Sequence, residues 1–520
     1  MKKLLSTLVI LLLIGSTIMA AENNRIKIKA DQDGKTISRH IYGHFSEHLG
    51  RCIYGGLWVG ENSDVPNING YRKDVVEALK GLDIPNLRWP GGCFADTYHW
   101  KDGIGPREKR PEIVNVHWGG VTEDNSFGTH EFMGLCELLN CEPVICGNVG
   151  SGTVQEMAEW VEYINSDALS PMTRLRKANG REKPWKMKYW GVGNESWGCG
   201  GTMTAQFYSD QLRRYSTFCR DYGDNRLYRI AGGANSGDFN WTEVLMREWH
   251  NASGWVRGYM QGLSLHYYTV CHTWDKKGSA TDFNEEDWFL TMKNTLYMEE
   301  LVTKHSAIMD KYDPEKSIGL IVDEWGNWHD VEPGTNPGFL YQQNSLRDAL
   351  VAGINLNIFN NHCDRVKMAN IAQTVNVLQS VVLTEGDKMV RTPTWYVFKM
   401  FKVHQDAMLL PLEVESKEYT FQGQSIPAVN ASASKNAQGV IHISLTNADP
   451  NNRQMITCDL GSVKVSKING EIITAGKINA YNEFNQREQV NIQPFSEAKI
   501  VDGKIVVDMP SKSVVMLTVY

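Results

Sequence analysis

Residues 188–198 read Lys-Tyr-Trp-Gly-Val-Gly-Asn-Glu-Ser-Trp-Gly. An aromatic and β-branched run ends in Asn194-Glu195, and glycines follow at once. Residues 318–328, Ile-Gly-Leu-Ile-Val-Asp-Glu-Trp-Gly-Asn-Trp, repeat the same order around Glu324. Both stretches are typical of a buried strand that ends in a carboxylate. Parallel strands of a barrel place such side chains at one rim, so the pattern predicts that the two glutamates share a pocket.

Short apolar runs alternate with helical patterns over about 350 residues, which favours a parallel α/β fold. The rival, a doubly wound open sheet, would be expected to carry a glycine-rich phosphate loop after its first strand. The glycines here instead follow Trp89 and Glu195, without a GxGxxG motif. We therefore predict an α/β fold, a (β/α)8 TIM barrel spanning residues 39–395. Its predicted strands lie near residues 41–45, 84–89, 143–146, 188–192, 229–233, 262–266, 318–323 and 354–359.

The pattern changes after residue 395, where mostly alternating polar and apolar runs are separated by turns rich in Asn, Asp and Gly. Such alternation is typical of strands that bury one face, and Asp502-Gly503 is a good hairpin turn. We predict a C-terminal all-β sandwich over residues 396–520. Residues 22–38 contain a further alternating run at 25–30, which we expect to join this sandwich as an N-terminal strand.

Residues 1–21 have the three parts of a secretory signal peptide. Lys2 and Lys3 are followed by an apolar run at 4–14 and by Ile-Met-Ala-Ala at 18–21. A retained membrane anchor is the alternative, but the apolar run is short for a membrane span. We therefore expect an exported protein, periplasmic or secreted, that makes no membrane contact after cleavage.

The chain of 520 residues has a formal net charge of −7, which offers no electrostatic attraction to nucleic acid. Sixteen tryptophans and twenty tyrosines provide aromatic faces on which sugar rings can stack, although most are expected in the core. Ten cysteines are scattered without a CxxC motif. Some could form disulfides in an exported chain, whereas those at 136, 141 and 146 are interpreted as core residues. No ligand spacing indicates a metal, and we predict no cofactor.

Two carboxylates at one rim suit a retaining glycosidase, in which a nucleophile and an acid/base lie about 5–5.5 Å apart. Glu195 suits the acid/base role, because burial and a second carboxylate raise the pKa of such a group. Glu324 would stay ionised by accepting hydrogen bonds, which Arg88 and Tyr268 could donate. A cap or an ion pair is the alternative for any single glutamate at a strand end. The same context at both positions disfavours it.

Three further stretches stand with two parts of those already quoted: I-Y-G-H-F-S-E-H-L-G-R at 41–51, L-R-W-P-G-G at 87–92 and W-K-D-G-I-G-P at 100–106, followed by G-N-E at 193–195 and D-E-W at 323–325. Together they resemble glycoside hydrolase family 51, whose members are mainly α-L-arabinofuranosidases. The resemblance covers essentially the whole mature chain. It implies release of terminal α-L-arabinofuranosyl units from arabinose-containing oligosaccharides or polysaccharides, and a homo-oligomer, either a trimer or a hexamer.

The same resemblance implies roles for individual residues. Glu195 would be the acid/base and Glu324 the nucleophile, which Arg88 and Tyr268 would orient. His266 belongs either to this site or to the core as a structural histidine. The residues expected to hold or enclose the sugar are Asn194, Glu47, Gln373, Trp118 and Trp328.

Cys93 departs from the family pattern, because many members carry Asn after the Trp-Pro-Gly-Gly motif. A thiol is a weak donor, so we expect a changed sugar contact at this position. Two other functions stay open from the sequence. One is a different retaining glycosidase on the same barrel, a β-xylosidase or an endo-glucanase. The other is a carbohydrate-binding protein that has lost catalysis.

Overall fold

A closed barrel of eight parallel strands forms the centre of the computed structural model, which describes residues 24–32 and 34–520. Each strand pairs with the strand that follows it in the chain, and the last pairs with the first. This is the topology of a TIM barrel, so the predicted fold class is confirmed. The strands, in chain order, are Gly43–Phe45, Asn86–Trp89, Glu142–Gly147, Tyr189–Val192, Tyr228–Asn235, Gly262–Thr269, Gly319–Asn327 and Val366–Ala372.

Amphipathic helices connect the barrel strands, and short polar side chains cap several of them. The Thr153 hydroxyl accepts a hydrogen bond from the backbone N–H of Glu156, which satisfies one of the free donors of the first turn. The α-helices in the described part of the chain are Lys73–Leu82, Thr129–Leu139, Val154–Asn165, Pro171–Ala178, Ala205–Phe218, Phe239–Asn251, Glu285–Tyr312, Leu346–Asn361 and Pro393–Phe401.

The prediction that residues 354–359 form the last barrel strand is wrong. These residues lie in the helix Leu346–Asn361, and the eighth strand is Val366–Ala372. The sequence Ile-Asn-Leu-Asn-Ile-Phe alternates like a strand, but nearly every residue of this helix is buried. A helix that is covered on all sides loses the one-sided pattern by which helices are identified. Its asparagines are satisfied by tertiary hydrogen bonds, as when Asn357 Nδ2 donates to Asn430 Oδ1 over 2.8 Å.

Two sheets form the C-terminal β domain, and the N-terminal strand Asn24–Ile28 belongs to one of them, between Leu412–Glu415 and Gln454–Asp459. The helix Pro393–Phe401 runs across the predicted domain boundary at 395, which stays a prediction. The five-stranded sheet has the order Leu412–Glu415, Asn24–Ile28, Gln454–Asp459, Lys504–Met509, Ala498–Val501. The six-stranded sheet has the order Met408–Leu409, Val429–Lys435, Ile441–Asn447, Ser513–Val519, Ile468–Ile473, Gln493–Phe495.

The lower half of the barrel is filled by apolar side chains from the beginnings of the strands. Val144, Tyr189, Ile230, Ile321 and Met368 form this buried cluster. These apolar side chains fill the N-terminal end of the barrel. The polar side chains at the C-terminal strand ends therefore lie together at the opposite rim.

The predicted signal peptide, residues 1–21, lies outside the described residues. Within residues 24–32 and 34–520, no helix combines the length and the apolar character that a membrane span requires.

Candidate active site

The structure brings Glu195 and Glu324 together at the C-terminal rim of the barrel. Glu195 lies three residues beyond the strand Tyr189–Val192, and Glu324 lies in Gly319–Asn327. One carboxylate oxygen of each lies within 4.8 Å of the other. This upper limit fits the spacing of about 5–5.5 Å in retaining glycosidases better than the spacing of about 6.5–9.5 Å that inverting enzymes need to admit a water molecule.

Glu324 accepts a strong hydrogen bond on each of its oxygens. Arg88 Nη1 donates to Oε1 over 2.8 Å, and the Tyr268 hydroxyl donates to Oε2 over 2.8 Å. Burial opposes the charge of Arg88, but the carboxylates of Asp323 and Glu324 outweigh it and raise the pKa of the guanidinium above its ordinary value. These two donors fix the orientation of both carboxylate oxygens of Glu324.

Glu195 has a different environment. Its Oε1 lies 2.9 Å from Nδ1 of His266, and the backbone of Glu195 adopts a left-handed φ of 37°. Burial, followed by the charge of Glu324, raises the pKa of Glu195. A raised pKa is what a general acid needs to carry a proton at neutral pH. The left-handed backbone is costly for a residue with a side chain, and functional sites often retain such strain.

His266 links both glutamates to Asp323, which settles the choice between a site histidine and a core histidine. It lies opposite Glu324 in the barrel register, with Nδ1 3.6 Å from Glu324 Oε2. Its Nε2 lies 3.1 Å from Asp323 Oδ1. Burial lowers the pKa of His266, but the charges of Glu324 and Asp323 outweigh burial and raise it to about 10. The imidazolium therefore donates from both nitrogens near neutral pH.

Glu47 lies beside this pair of carboxylates and accepts hydrogen bonds on both of its oxygens. Its Oε1 accepts hydrogen bonds from the backbone N–H of Gly92 over 3.0 Å, from the N–H of Phe94 over 3.1 Å and from Trp118 Nε1 over 2.9 Å. Its Oε2 accepts a bond of 3.0 Å from Gln373 Nε2. Burial, with the charge of Glu324, raises the pKa of Glu47 to about 7.

Two glycines of the Trp-Pro-Gly-Gly motif let the backbone approach both carboxylates. A Cβ on Gly91 would lie 2.6 Å from Cγ of Glu47, and a Cβ on Gly92 would lie 2.8 Å from Oε1 of Glu324. Both distances are too short for a carbon atom, so any side chain here would displace the carboxyl group of Glu47 or Glu324.

The remaining predicted residues line the same pocket. Asn194 Oδ1 accepts a hydrogen bond of 2.7 Å from Arg88 Nη2. The amide nitrogen of Asn194 takes no part in this bond. Trp328 is half-buried, and its ring meets Tyr268 edge-on at 5.0 Å. Trp274 packs edge-on against Trp328 at 5.3 Å and is 54% exposed. Together these rings form an aromatic wall that leads from the nucleophile to the surface.

Cys93 has no thiol, which corrects the expected weak donor. It forms a disulfide with Cys199, and the two sulfurs lie 3.9 Å and 3.5 Å from Oε2 of Glu195. The two cysteines are 106 residues apart in sequence. The other described cysteines are free. Of the three interpreted as core residues, Cys136 and Cys146 are buried, whereas Cys141 is only half-buried.

Sequence reasoning missed three residues of this site: Asp323, Cys199 and Trp274. Asp323 directly precedes Glu324, and Cys199 follows Glu195 by four residues, so proximity in sequence was the available signal. Trp274 lies in an irregular loop, where a single tryptophan gives no periodic pattern from which a site residue could be predicted.

Three groups of side chains within the described residues have a spacing that could suit a metal ion. Two belong to this site. Cys93 and Cys199 are joined to each other and hold no thiolate, and the protonated His266 has no free lone pair. The third is Cys271, His272 and Asp287, where burial raises the pKa of the Cys271 thiol to about 11. The expected absence of a metal stays a prediction.

Comparisons with known proteins agree with this geometry. Residues 78–249 match the family model "Alpha-L-arabinofuranosidase 1 domain", and residues 323–513 match "Alpha-L-arabinofuranosidase C-terminal domain". An "Intracellular exo-alpha-L-arabinofuranosidase" from Bacteroides ovatus is 57% identical over 502 residues, 96% of each chain. The crystal structure of the GH51 arabinofuranosidase from Xanthomonas axonopodis pv. citri is 49% identical, with a TM-score of 0.93, and the alignment covers 96% of this chain and 100% of that one. The chain belongs to the α-L-arabinofuranosidases of glycoside hydrolase family 51.

A further solved structure is more distant in sequence. The Thermotoga maritima α-L-arabinofuranosidase in its arabinose complex is 29% identical, with a TM-score of 0.81 and coverage of 95% of this chain and 99% of that one. The family and the enzyme class predicted from the five motifs are therefore confirmed.

The expectation of export is contradicted. The Bacteroides ovatus relative covers nearly the whole chain and is named an intracellular enzyme. The export prediction depended on residues 1–21 alone, and a short basic and apolar N-terminus is a weak signal without support from elsewhere in the chain.

Proposed function

We propose that this family 51 enzyme removes terminal non-reducing α-L-arabinofuranosyl units from arabinose-containing oligosaccharides and polysaccharides by double displacement. One observation carries the proposal: the oxygens of Glu195 and Glu324 lie within 4.8 Å, in opposite hydrogen-bonding environments. Two donors hold Glu324, whereas burial raises the pKa of Glu195. This asymmetry supports one nucleophile and one acid.

In the first step Glu324 attacks the anomeric carbon, and Glu195 gives its proton to the leaving oxygen. The glycosidic bond breaks, and a covalent bond forms between the sugar and Glu324. In the second step the Glu195 carboxylate takes a proton from water as the water attacks the same carbon, and the bond between that carbon and Glu324 breaks, so that Glu324 leaves as a carboxylate. Two inversions at one carbon give net retention, and both carboxyl groups return to their first protonation states.

The pocket around the nucleophile supports recognition of one sugar ring by several fixed polar groups. Asn194, Glu47 and Gln373 are buried and held by hydrogen bonds. We propose that they bind the hydroxyls of the arabinosyl unit and that Trp118 and Trp328 enclose it. Groups held in advance lose little entropy when the sugar binds, and bonds to the 2-hydroxyl strengthen in the transition state.

The test is hydrolysis of 4-nitrophenyl α-L-arabinofuranoside with NMR detection of the anomer released first. We expect rapid turnover and the α-anomer first. The β-anomer first would overturn double displacement. Turnover of the matching β-xyloside or β-glucoside instead would assign another retaining glycosidase. A panel without turnover, combined with measurable arabinose binding, would assign a carbohydrate-binding protein.

The trimer or hexamer implied by the family stays a proposal. Sedimentation velocity of the purified protein at several concentrations tests it, and a mass equal to one chain of 58.7 kDa at all concentrations would overturn it.

A further inference from the structure

The Cys93–Cys199 disulfide joins the two segments that build the acid/base side of the pocket. Cys93 follows Gly92, whose N–H holds Glu47, and Cys199 belongs to the loop that carries Glu195. The loop is otherwise closed by local backbone hydrogen bonds, such as those of 2.7 Å and 3.1 Å from the N–H groups of Gly198 and Gly200 to the carbonyl of Glu195. The disulfide is thus the covalent connection between the acid/base loop and the second barrel strand.

The two oxygens of the Glu195 carboxyl group have unequal neighbours. Oε1 faces the His266 imidazolium at 2.9 Å. Oε2 faces the two sulfurs at 3.5 Å and 3.9 Å, and a disulfide sulfur has no hydrogen to donate. Among the described residues no other side chain or backbone group donates to Oε2. A carboxyl oxygen without a donor is the one on which a proton is retained, because nothing there stabilises the negative charge.

We propose that the Cys93–Cys199 disulfide is a positioning element for general acid catalysis, which keeps Oε2 of Glu195 free to carry the proton and makes turnover of poor leaving groups sensitive to reduction. The inference rests on the proposed function, because it requires Glu195 to be the acid/base. The new element is that the Cys93–Cys199 pair, which the sequence analysis did not predict as a pair, controls the protonation of Glu195.

The chemistry of the switch is thiol–disulfide exchange. A small dithiol gives two electrons and two protons, the sulfur–sulfur bond breaks, and the dithiol leaves as its own cyclic disulfide. Each cysteine then carries an S–H group within reach of Oε2. These new donors stabilise the ionised carboxylate and lower the pKa of Glu195. Cys93, Cys199 and Glu195 are all only partly buried, so a small dithiol can enter through the substrate pocket.

The main test compares oxidised and reduced wild-type enzyme on two substrates. Reduction with dithiothreitol is confirmed when the thiol titre of the denatured protein rises from the eight free cysteines to all ten. An alkyl α-L-arabinofuranoside needs an acid, whereas the 4-nitrophenyl glycoside hardly does. We expect kcat/KM to fall about tenfold or more on the alkyl glycoside and less than about twofold on the aryl glycoside. The alkaline limb of the pH profile should move down by about one unit.

Two double variants separate the donor effect from the covalent connection. Cys93→Ser with Cys199→Ser supplies hydroxyl donors permanently and should reproduce the lowered alkaline limb without reductant. Cys93→Ala with Cys199→Ala supplies no donor and should keep the alkaline limb of the oxidised enzyme. In both double variants, dithiothreitol should change neither kcat/KM nor the pH profile. Cys458→Ala, which removes a buried thiol from the β domain, should respond to it as the wild type does.

The outcomes distinguish this inference from the proposed function. If the oxidised enzyme turns over neither arabinofuranoside, the proposed function fails and the inference fails with it. If it turns over both, and full reduction leaves their ratio and the pH profile unchanged, only the inference fails. Equal losses on both substrates would also overturn it, because the disulfide would then only maintain the fold. The reduction experiment needs no substitution and stays informative if a variant does not fold.

Discussion

Glu324 and Glu195 are the same kind of side chain at the same rim of the same barrel, yet their hydrogen-bond partners differ. Glu324 is held by a guanidinium and a phenol, one on each oxygen. Glu195 is held on one oxygen by His266, and its other oxygen faces sulfur. Both are largely removed from solvent, with side-chain exposures of 6% and 17%.

The difference teaches that burial alone does not assign catalytic roles. Burial raises the pKa of a carboxyl group, and fixed donors and nearby positive charges oppose this. Glu324 has donors on both oxygens and suits nucleophilic attack, whereas Glu195 has a free oxygen and suits proton transfer. Substitutions that remove one feature at a time should therefore produce different kinetic signatures at the two positions.

The largest effect should follow Glu324→Ala, which removes the nucleophile. We expect kcat to fall on the order of 10⁴–10⁶-fold on every arabinofuranoside, whatever its leaving group. Added azide should restore some turnover and give a glycosyl azide of inverted configuration, because azide attacks from the face that Glu324 occupied. Glu315→Ala, an exposed residue before the same strand, is the control and should behave like wild type. A retained azide product would assign the nucleophile elsewhere.

A smaller and more selective effect should follow Glu195→Ala. We expect a loss on the order of 10²–10⁴-fold for poor leaving groups and a much smaller loss for activated aryl glycosides. Azide should here give a product of retained configuration, since it replaces water in the second step. The measurement is kcat/KM across a series of leaving groups of different pKa. Equal losses across that series would count against Glu195 as the acid.

Tyr268→Phe should weaken the nucleophile without removing it. The hydroxyl donates to Oε2 of Glu324, and loss of one such donor is expected to lower kcat about 10- to 100-fold. Tyr267→Phe is the matched control on the same strand, because its hydroxyl donates to the carbonyl of Asn294 instead. It should cost about 1 kcal/mol of stability and leave kcat unchanged. Similar kinetics for both variants would contradict the role given to Tyr268.

The smallest effect is the pH dependence of stability due to His266. Its folded pKa of about 10 lies above the ordinary value of about 6.5. The stabilisation is therefore complete below about pH 6.5 and is lost as the pH rises through about 10. Relative to His266→Asn, the wild-type free energy of unfolding should fall by up to about 1.4 kcal/mol per pH unit over this range. Urea unfolding at pH 7, 8, 9 and 10 measures it, and parallel curves would refute the charged histidine.

Much of this architecture could be predicted from local patterns. Seven of the eight barrel strands lie near the predicted positions, because buried parallel strands are short apolar runs bounded by polar residues. The eighth was misplaced, since a helix buried between barrel and sandwich carries no amphipathic pattern.

The sequence by itself determined seven of the barrel strands, the β domain and the candidate pair of glutamates, because each is marked by a short stretch with a clear local pattern. Only the tertiary structure decided that Cys93 pairs with Cys199 and that His266 lies between two carboxylates. Only it showed that Arg88 reaches Glu324 across the barrel. These contacts join residues separated by 106, 71 and 236 positions. Closure of the barrel sets their distances, and no local preference of the chain encodes them.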